Sequence, residues 1–361
     1  MRVLVCGGAG YIGSHACLAL HGRGHQVEIA DSFVNSSPVA LERMATLAGH
    51  AFALHEVDLR DRAALCALLA QGGYEAVVHF AALKAVGESC ERPLDYFENN
   101  IGGTIHLLQA MRAAGVPRLV FSSSATVYGD PEQVPVGEGA PVGATNPYGR
   151  SKLVMEQLIG DVCAADPVFR AVNLRYFNPV GAHPSGQIGE DPRGVPNNLM
   201  PYIAQVAVGR RDCLNVFGGD WPTHDGTGVR DYIHIMDLAR AHADALDYLG
   251  SGGGNATVNL GTGRGLSVLE LVHAFERASG RPVPHRIVPR RAGDVAEVYA
   301  DPTLAARLFG WRAELDVDAM CRDAWRWQSQ NPNGFDAGGG PMPDASMGAA
   351  RSEPKVAART A

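Results

Sequence analysis

The sequence predicts an α/β fold: a Rossmann-type, doubly wound parallel sheet followed by a smaller C-terminal α/β domain. Three observations predict it. A strand, a glycine-rich turn and a helix open the chain in that order. Strand-like and helix-like segments then alternate to about residue 176, and from Asn178 the rhythm gives way to Pro- and Gly-rich loops around short helices.

Arg2-Val-Leu-Val-Cys6 is a run of β-formers, followed by Gly7-Gly8-Ala9-Gly10-Tyr11-Ile12-Gly13 and the helix-like Ser14–Leu20. Glycines let the backbone turn sharply and let a pyrophosphate approach without meeting a Cβ. The helix N-terminus behind them offers unpaired N–H groups and the positive end of its dipole. The spacing is G-x-x-G-x-x-G, one residue wider than the simplest dinucleotide fingerprint. A second strand, Val27–Ala30, ends in Asp31, where an acid can accept from both adenosine ribose hydroxyls and repel a 2′-phosphate. Ser32, Phe33, Val34 and Asn35 follow with no arginine, which favours NAD over NADP. Behind the apolar Ala51–Leu54, Asp58 can meet the adenine edge or cap the helix that starts near Asp61. Further strands are expected at Ala76–Phe80, Arg118–Phe121 and Ala171–Leu174, with helices at Leu65–Ala70, about 95–114 and Tyr148–Ala164.

Pro179, Pro184, Gly186, Gly189, Pro192, Gly194 and Pro196 then crowd one irregular stretch, read as the start of a smaller domain over the open edge of the first. A strand and a helix are expected to return to the first domain around 231–249. The expected units are therefore 1–176, 177–335 and a Gly/Ala/Pro-rich tail, 336–361, expected to be disordered.

The 361 residues suffice for a full core. With 31 basic and 38 acidic residues, a net charge of −7 and no block of like charge, the chain lacks the basic stripe that nucleic acid would require. Seven cysteines without C-x-x-C spacing read as small buried hydrophobes of a reducing compartment, not as a disulfide framework or a metal site. The first strand begins at residue 2, leaving no room for a signal peptide, and no apolar run approaches the roughly 20 residues of a membrane span. A soluble cytoplasmic protein without membrane partners is expected.

Tyr148-Gly-Arg-Ser-Lys152 places a phenol and an ammonium one helical turn apart. A free tyrosine ionises near pH ~10, and a fixed positive charge nearby favours the phenolate. Such a tyrosine can take a proton from a sugar or alcohol hydroxyl and return it. Alone, the pair is common decoration on helices. Ser124, in Phe121-Ser-Ser-Ser-Ala-Thr-Val-Tyr-Gly129, follows a candidate strand, and ligands of doubly wound sheets bind outside the carboxyl ends of the strands. Its bland reading is a Ser/Thr-rich turn. Ser124, Tyr148 and Lys152 together with the glycine turn resemble the short-chain dehydrogenase/reductase superfamily.

Longer motifs narrow the resemblance. Gly7–Ser14, Phe80–Ser89, Ser122–Gly129, Tyr176–Gly186, Pro196–Arg211 and Asp225–His234 resemble the UDP-glucose 4-epimerase family, over about residues 1–335. The resemblance implies a tightly retained NAD held by Gly7, Gly10, Tyr11, Ile12, Gly13, Asp31, Ser32, Phe33, Val34, Asn35, Ser36, Asp58, Leu59, Phe80, Ala81, Ala82, Leu83, Lys84, Asn99, Ser124, Tyr148, Lys152 and Phe177. It implies a UDP-sugar held by Lys84, Ser124, Tyr148, Asn178, Asn198, Leu199, Phe217, Arg230, Arg291 and Asp294. The residue types suit the task, since planar guanidinium groups can meet two phosphate oxygens at once and Phe217 can pack against uracil.

The implied catalytic residues are Tyr148, Lys152 and Ser124. Tyrosinate Tyr148, its pKa lowered by Lys152 and the nicotinamide, would take the proton of the hexose 4-hydroxyl while C4 gives hydride to NAD; the 4-keto sugar then turns and is reduced on its other face. Related dehydratases and decarboxylases need an extra acid after the serine or threonine, and here Ala125, Thr126 and Val127 follow. A cofactor-binding sensor without activity would be expected to have lost Tyr148 or Lys152. Val298, four after Asp294, stands where the family often has a pocket-narrowing tyrosine, which implies room for UDP-N-acetylglucosamine as well. Ala82 replaces a common glycine. The helices about 95–114 and 148–164 resemble those that pair in family dimers, so a homodimer is expected.

Overall fold

The computed structural model describes residues 1–291 and 293–335; the expected tail 336–361 lies outside the described residues. The first half runs β1 (Arg2–Cys6), α1 (Tyr11–Gly22), β2 (Gln26–Asp31), α2 (Pro38–Ala48), β3 (Ala53–Glu56), α3 (Arg62–Gly72), β4 (Ala76–His79), α4 (Val86–Glu91), α5 (Pro93–Tyr96), α6 (Gly103–Ala114), β5 (Arg118–Ser122), α7 (Pro147–Ala165) and β6 (Arg170–Tyr176). The second half comprises β7 (Asn178–Val180), α8 (Leu199–Ala207), β8 (Leu214–Phe217), β9 (Val229–Arg230), β10 (Tyr232–His234), α9 (Ile235–Gly250), β11 (Ala256–Leu260), β12 (Leu266–Ser267), α10 (Val268–Ser279), β13 (His285–Val288), β14 (Glu297–Val298), α11 (Thr303–Phe309) and α12 (Val317–Gln330).

Seven parallel strands form the central sheet in the order β11-β6-β5-β4-β1-β2-β3. Alternation along the buried strands feeds two cores, as a sheet covered on both faces requires. Val3, Val5, Val78, Val120, Val172 and Leu174 enter one core, with residues of α1 and α9. Leu4, Cys6, Val77, Leu119 and Phe121 enter the other, with residues of α3, α6 and α7. The order reverses between β1 and β4, which opens the ligand crevice at their carboxyl ends.

The helix starts are written in the sequence. Asn146 accepts from the Gly149 N–H at 2.8 Å and Pro147 is the first helical residue of α7. Ser267 and Glu270 form a capping box on α10. The long helix expected at about 95–114 is broken by a π-helical stretch at Phe97–Gly102, which carries Asn99 and Asn100.

The return to the sheet differs from the expectation in one respect. α9 packs against α1, but the strand that joins the sheet is β11, after that helix, paired in parallel with β6. β10, before it, pairs with β7 in a separate two-stranded sheet. Only after the helical crossover can the chain lie parallel to β6. A third core lies among α8, α10 and α12. Among the described residues no helix is long and apolar enough to cross a membrane.

Candidate active site

β1 runs directly into Gly7, whose φ of +80° suits glycine. A Cβ there would lie 2.7 Å from the Ala81 nitrogen, and one at Gly13 would lie 2.1 Å from the Gly7 carbonyl oxygen, so the fold itself requires both glycines. Gly10 differs: a Cβ there would come no closer than 3.4 Å to the protein, so its bareness leaves room for a ligand. α1 begins at Tyr11 and Ile12 with no side-chain cap and no acid in its first turn, leaving orphan N–H groups for an anion. This cradle fits the pyrophosphate of a dinucleotide.

Asp31, at the end of β2, is buried and accepts from the N–H of Ala9 at 2.9 Å, the N–H of Phe33 at 3.0 Å and the Ser36 hydroxyl at 2.7 Å. It thereby ties the glycine turn to the loop Ser32–Ser36, where Phe33 takes a left-handed φ of 54°. No arginine adjoins Asp31 in sequence, but the fold brings one from the second half. Arg193 donates to the carbonyls of Phe33, Val34 and Ser36. Its guanidinium is engaged by backbone, which keeps the site suited to a ribose with two free hydroxyls.

Asp58 is held by Arg60, whose Nη2 lies 2.7 Å from Oδ2 and lowers the carboxyl pKa. It does not cap α3. Asp61 does, accepting from the Ala64 N–H at 3.0 Å, because it stands immediately before the first helical residue. Leu59 is buried in the core.

The loop Phe80–Lys84 leaves β4 beside the glycine turn, with the N–H groups of Phe80 and Ala81 both on the Cys6 carbonyl. Asn100 shapes it, accepting from the Leu83 N–H at 2.8 Å and donating to the Leu83 carbonyl at 3.0 Å. Ala82 lies in this loop, and Asn99 donates to Asn100 at 3.0 Å.

Ser124 caps the short 3₁₀ turn Ala125–Tyr128 at the end of β5 and is buried. Tyr148 and Lys152 lie on α7. The pair does not have the expected electrostatics. Lys152 Nζ lies 5.9 Å from the Tyr148 ring centroid and donates to the Ser122 carbonyl at 2.7 Å. Burial pushes the ammonium down to about 7, opposed by Glu156. Tyr148 is half-buried, and burial pushes its phenol up to about 12, with a hydrogen bond from Ser124 pulling the other way. Desolvation outweighs the attraction that spacing alone suggested. Thr126, where a dehydratase would need an acid, donates to the Ser124 hydroxyl at 2.9 Å instead.

The expected UDP-sugar residues fall into linked groups. Phe217 is exposed at the end of β8, with the Arg291 guanidinium 5.1 Å from its ring centroid. Arg291 pairs with Asp294 at 3.0 Å. Arg230 on β9 donates to the Val229 carbonyl at 2.8 Å; burial pushes its pKa down and Asp294 acts against that. Val298 on β14 lies in register with Arg230. It packs with Ala125, Val127, Tyr128, Phe177 and Ala300, a cluster that joins β14 to the Ser124 turn. Asn178 donates through both its backbone and its side chain to the Asp231 carbonyl. Asn198 stands before α8, Leu199 begins it, and Asn198 and Lys84 both donate to Glu190 Oε1, at 2.8 and 2.9 Å.

Asn100, Glu156, Arg175, Glu190 and Arg193 were not singled out from the sequence. Glu156 had a local signal, one turn beyond Lys152 on the same helix face. Arg193 and Glu190 had none, because only tertiary structure brings them to their partners.

A doubly wound sheet with a glycine cradle, an acid closing the second strand, a serine after β5 and a tyrosine and lysine one turn apart on α7 define an extended short-chain dehydrogenase/reductase. The family described as GDP-mannose 4,6 dehydratase matches residues 4–324. The chain is 56% identical over 343 residues to the UDP-glucose 4-epimerase of Mus musculus, covering 93% of this chain and 99% of that one. Its structure superposes at a TM-score of 0.90 and 55% identity on the UDP-glucose 4-epimerase of Stenotrophomonas maltophila with bound NAD and formylated UDP-arabinopyranose, covering 92% of this chain and 99% of that one. The Bifidobacterium longum enzyme in complex with NAD+ and UDP gives a TM-score of 0.90 at 49% identity, over 93% and 100% of the two chains. The chain belongs to the UDP-glucose 4-epimerase family.

Proposed function

We propose that this chain interconverts UDP-glucose and UDP-galactose through a 4-keto intermediate, with NAD retained between turnovers. One observation carries the reading: a single cluster, Ala125, Val127, Tyr128, Phe177, Val298 and Ala300, packs the strand beside Arg230 onto the turn that bears Ser124. Sugar-nucleotide anchors and proton-transfer groups are therefore parts of one site.

The cradle Gly7–Gly13, Asp31 with Ser32–Ser36, Asp58, Leu59, Phe80–Lys84, Asn99 and Phe177 hold NAD, which when bound supplies the reversible hydride acceptor for sugar C4. Tyr148 takes the proton of the 4-hydroxyl and Ser124 hydrogen-bonds the 4-oxygen; the Lys152 ammonium, together with the positive charge that bound nicotinamide would supply, offsets the burial that raises the phenol. Arg230 and Arg291 anchor the diphosphate and Phe217 stacks on uracil, with Lys84, Asn178, Asn198, Leu199 and Asp294 completing the site. Anchored there, the keto sugar turns about its bond to the diphosphate, and Tyr148 returns the proton on the opposite face. The binding energy resides in the UDP, so the sugar ring stays free to turn. Val298 is short and half-buried, which favours a pocket that also admits an N-acetyl group at C2.

A homodimer is proposed through α6 and α7, which form with Arg62 a groove of about 370 Å³ lined by Ile105, Leu108, Leu158 and Val162. A cytoplasmic location is supported by seven free cysteines. One preparation tests these readings together. The purified protein should release NAD on denaturation, scatter light as twice 38.2 kDa, and interconvert the two UDP-hexoses without added NAD. Absence of turnover in protein shown to carry NAD would sink the epimerase reading.

A further inference from the structure

A buried ion pair stands directly behind the reacting residues. Glu156 lies one turn beyond Lys152 on α7, so Tyr148, Lys152 and Glu156 share a helix face. Arg175 of β6 meets both carboxylate oxygens, Nε to Oε1 at 2.9 Å and Nη2 to Oε2 at 2.6 Å. The Ser123 hydroxyl donates to the same carboxylate. Arg175 Nη1 donates to the Tyr128 hydroxyl at 3.0 Å, and that hydroxyl donates to Asn259 Oδ1 at 2.7 Å. Asn259 in turn donates to the Val136 carbonyl at 2.8 Å.

The residues so held are not arbitrary. Ser123 and Tyr128 bracket Ser124 and the turn it caps, so one ion pair fixes both ends of the segment that presents Ser124. The pair also ties that segment to the helix carrying Tyr148 and Lys152. Stability alone is a poor reason for it, since a well-packed apolar pair of equal volume often does as well or better.

We propose that Glu156, locked by Arg175, is a positioning residue for proton transfer: it sets the Ser124 turn against α7 and holds a compensating negative charge behind Lys152. The inference rests on the assignment of Ser124, Tyr148 and Lys152 to the reaction.

The ionisable groups facing this pair are Tyr148 and Lys152 on α7, Tyr128 in the Ser124 turn, His79 on β4, Tyr96 on α5 and Tyr176 on β6. Burial pushes His79 down to about 3 and raises Tyr96 and Tyr176, so neither end of the neutral range belongs to them. Lys152, pushed down to about 7 by burial and held up by Glu156, does titrate there. Its charge is lost as pH rises through that value, and removing the Glu156 charge brings the loss to lower pH.

Glu156→Gln keeps the shape and an oxygen for Ser123 and Arg175 but removes the charge. NAD content, UDP affinity and KM should stay within about twofold of the parent, while kcat falls about 10- to 100-fold, the scale of a small misplacement of reacting groups. The alkaline limb of kcat against pH should move down by about one unit, and Glu156→Asp should restore that limb. A Glu156→Gln enzyme with the parent's pH profile, and a kcat reduced only by its folded fraction, overturns the proposal. Should Glu156→Gln fail to fold, Ser123→Ala removes the clamp without stranding a charge. It should lower kcat about 5- to 10-fold at unchanged KM, and an unchanged kcat overturns the proposal equally. Tyr148→Phe is assayed alongside. If it is as active as the parent, the assignment of the site fails and this inference with it. If it is inactive while Glu156→Gln and Ser123→Ala behave as the parent, only the present inference fails.

Discussion

On the sheet side of the cleft the polar groups are enclosed and braced by protein, whereas on the other side several of them lie at the surface, Arg230 and Asn178 being the half-buried exceptions. Asp31 is buried under three donors and Lys152 under the Ser122 carbonyl. Phe217, Arg291 and Asn198 are exposed, and Arg291–Asp294 and Lys84–Glu190 are ion pairs whose cations are 55% and 44% exposed. A pair exposed on both sides is worth only about 0–1 kcal/mol; here the cations are exposed while Glu190 and Asp294 are 8% and 20% exposed. A diphosphate can therefore draw the exposed cations to itself and release them again. The enclosed side suits a ligand that is kept, and the exposed side one that is exchanged at every turnover.

The largest effect should come from the enclosed side. Tyr148→Phe removes one oxygen from a half-buried phenol and with it the proposed acid–base group, so kcat should fall by about 10²- to 10⁴-fold. UDP affinity, measured by calorimetry, should be unchanged, because the anchors stand on other elements. Loss of UDP binding, or of the folded state in a thermal melt, would assign the tyrosine a structural role and remove the contrast between the two sides.

The contrast also explains what could be read from the residues alone. The cradle is local: Gly7 to Gly13 are consecutive, Asp31 ends the next strand, and Tyr148 and Lys152 are one turn apart, so spacing carried them. The proposed UDP anchors come from β7, β8, β9, β14, the start of α8 and three loops, and they entered through the family resemblance rather than through any local pattern. Arg193 over the Phe33 loop, Lys84 on Glu190 and Arg175 on Glu156 join different elements at separations that no periodicity signals. Helix spacing likewise reveals the charge beside Tyr148 but not the burial that raises its phenol. α2 is faint in the sequence although Ser37 caps it and Pro38 opens it. Its 11 residues bury only Ala40 and Met44, which makes the apolar periodicity faint.

A second test ranks the two arginines. Arg230 is half-buried with backbone partners, and burial pushes its pKa down, so its charge is poorly solvated and gains most from a phosphate. Arg291 already has Asp294 and solvent. Arg230→Met should weaken UDP binding about 100-fold and Arg291→Met about 10-fold, at the scale of one or two charge-assisted hydrogen bonds of about 1.5–3 kcal/mol each. Equal losses in calorimetric titrations would show that enclosure does not set the value of an anchor here.

The smallest expected effect concerns the seam between the two sides. Val298 lies in register with Arg230 and packs in the cluster that includes Ala125 and Phe177, so it stands between Arg230, a proposed diphosphate anchor, and the Ser124 turn. A tyrosine there would extend a ring into the space the hexose uses. In Val298→Tyr the kcat/KM for UDP-N-acetylglucosamine should fall about tenfold relative to that for UDP-glucose, the scale of a steric difference of one small group, about 1–3 kcal/mol. Turnover of UDP-glucose itself should change little, because the catalytic side is untouched. If both activities fall together, the ring has disturbed the cluster that joins the halves. If the ratio does not move, position 298 does not gate the C2 substituent, and the width of the pocket must be set elsewhere.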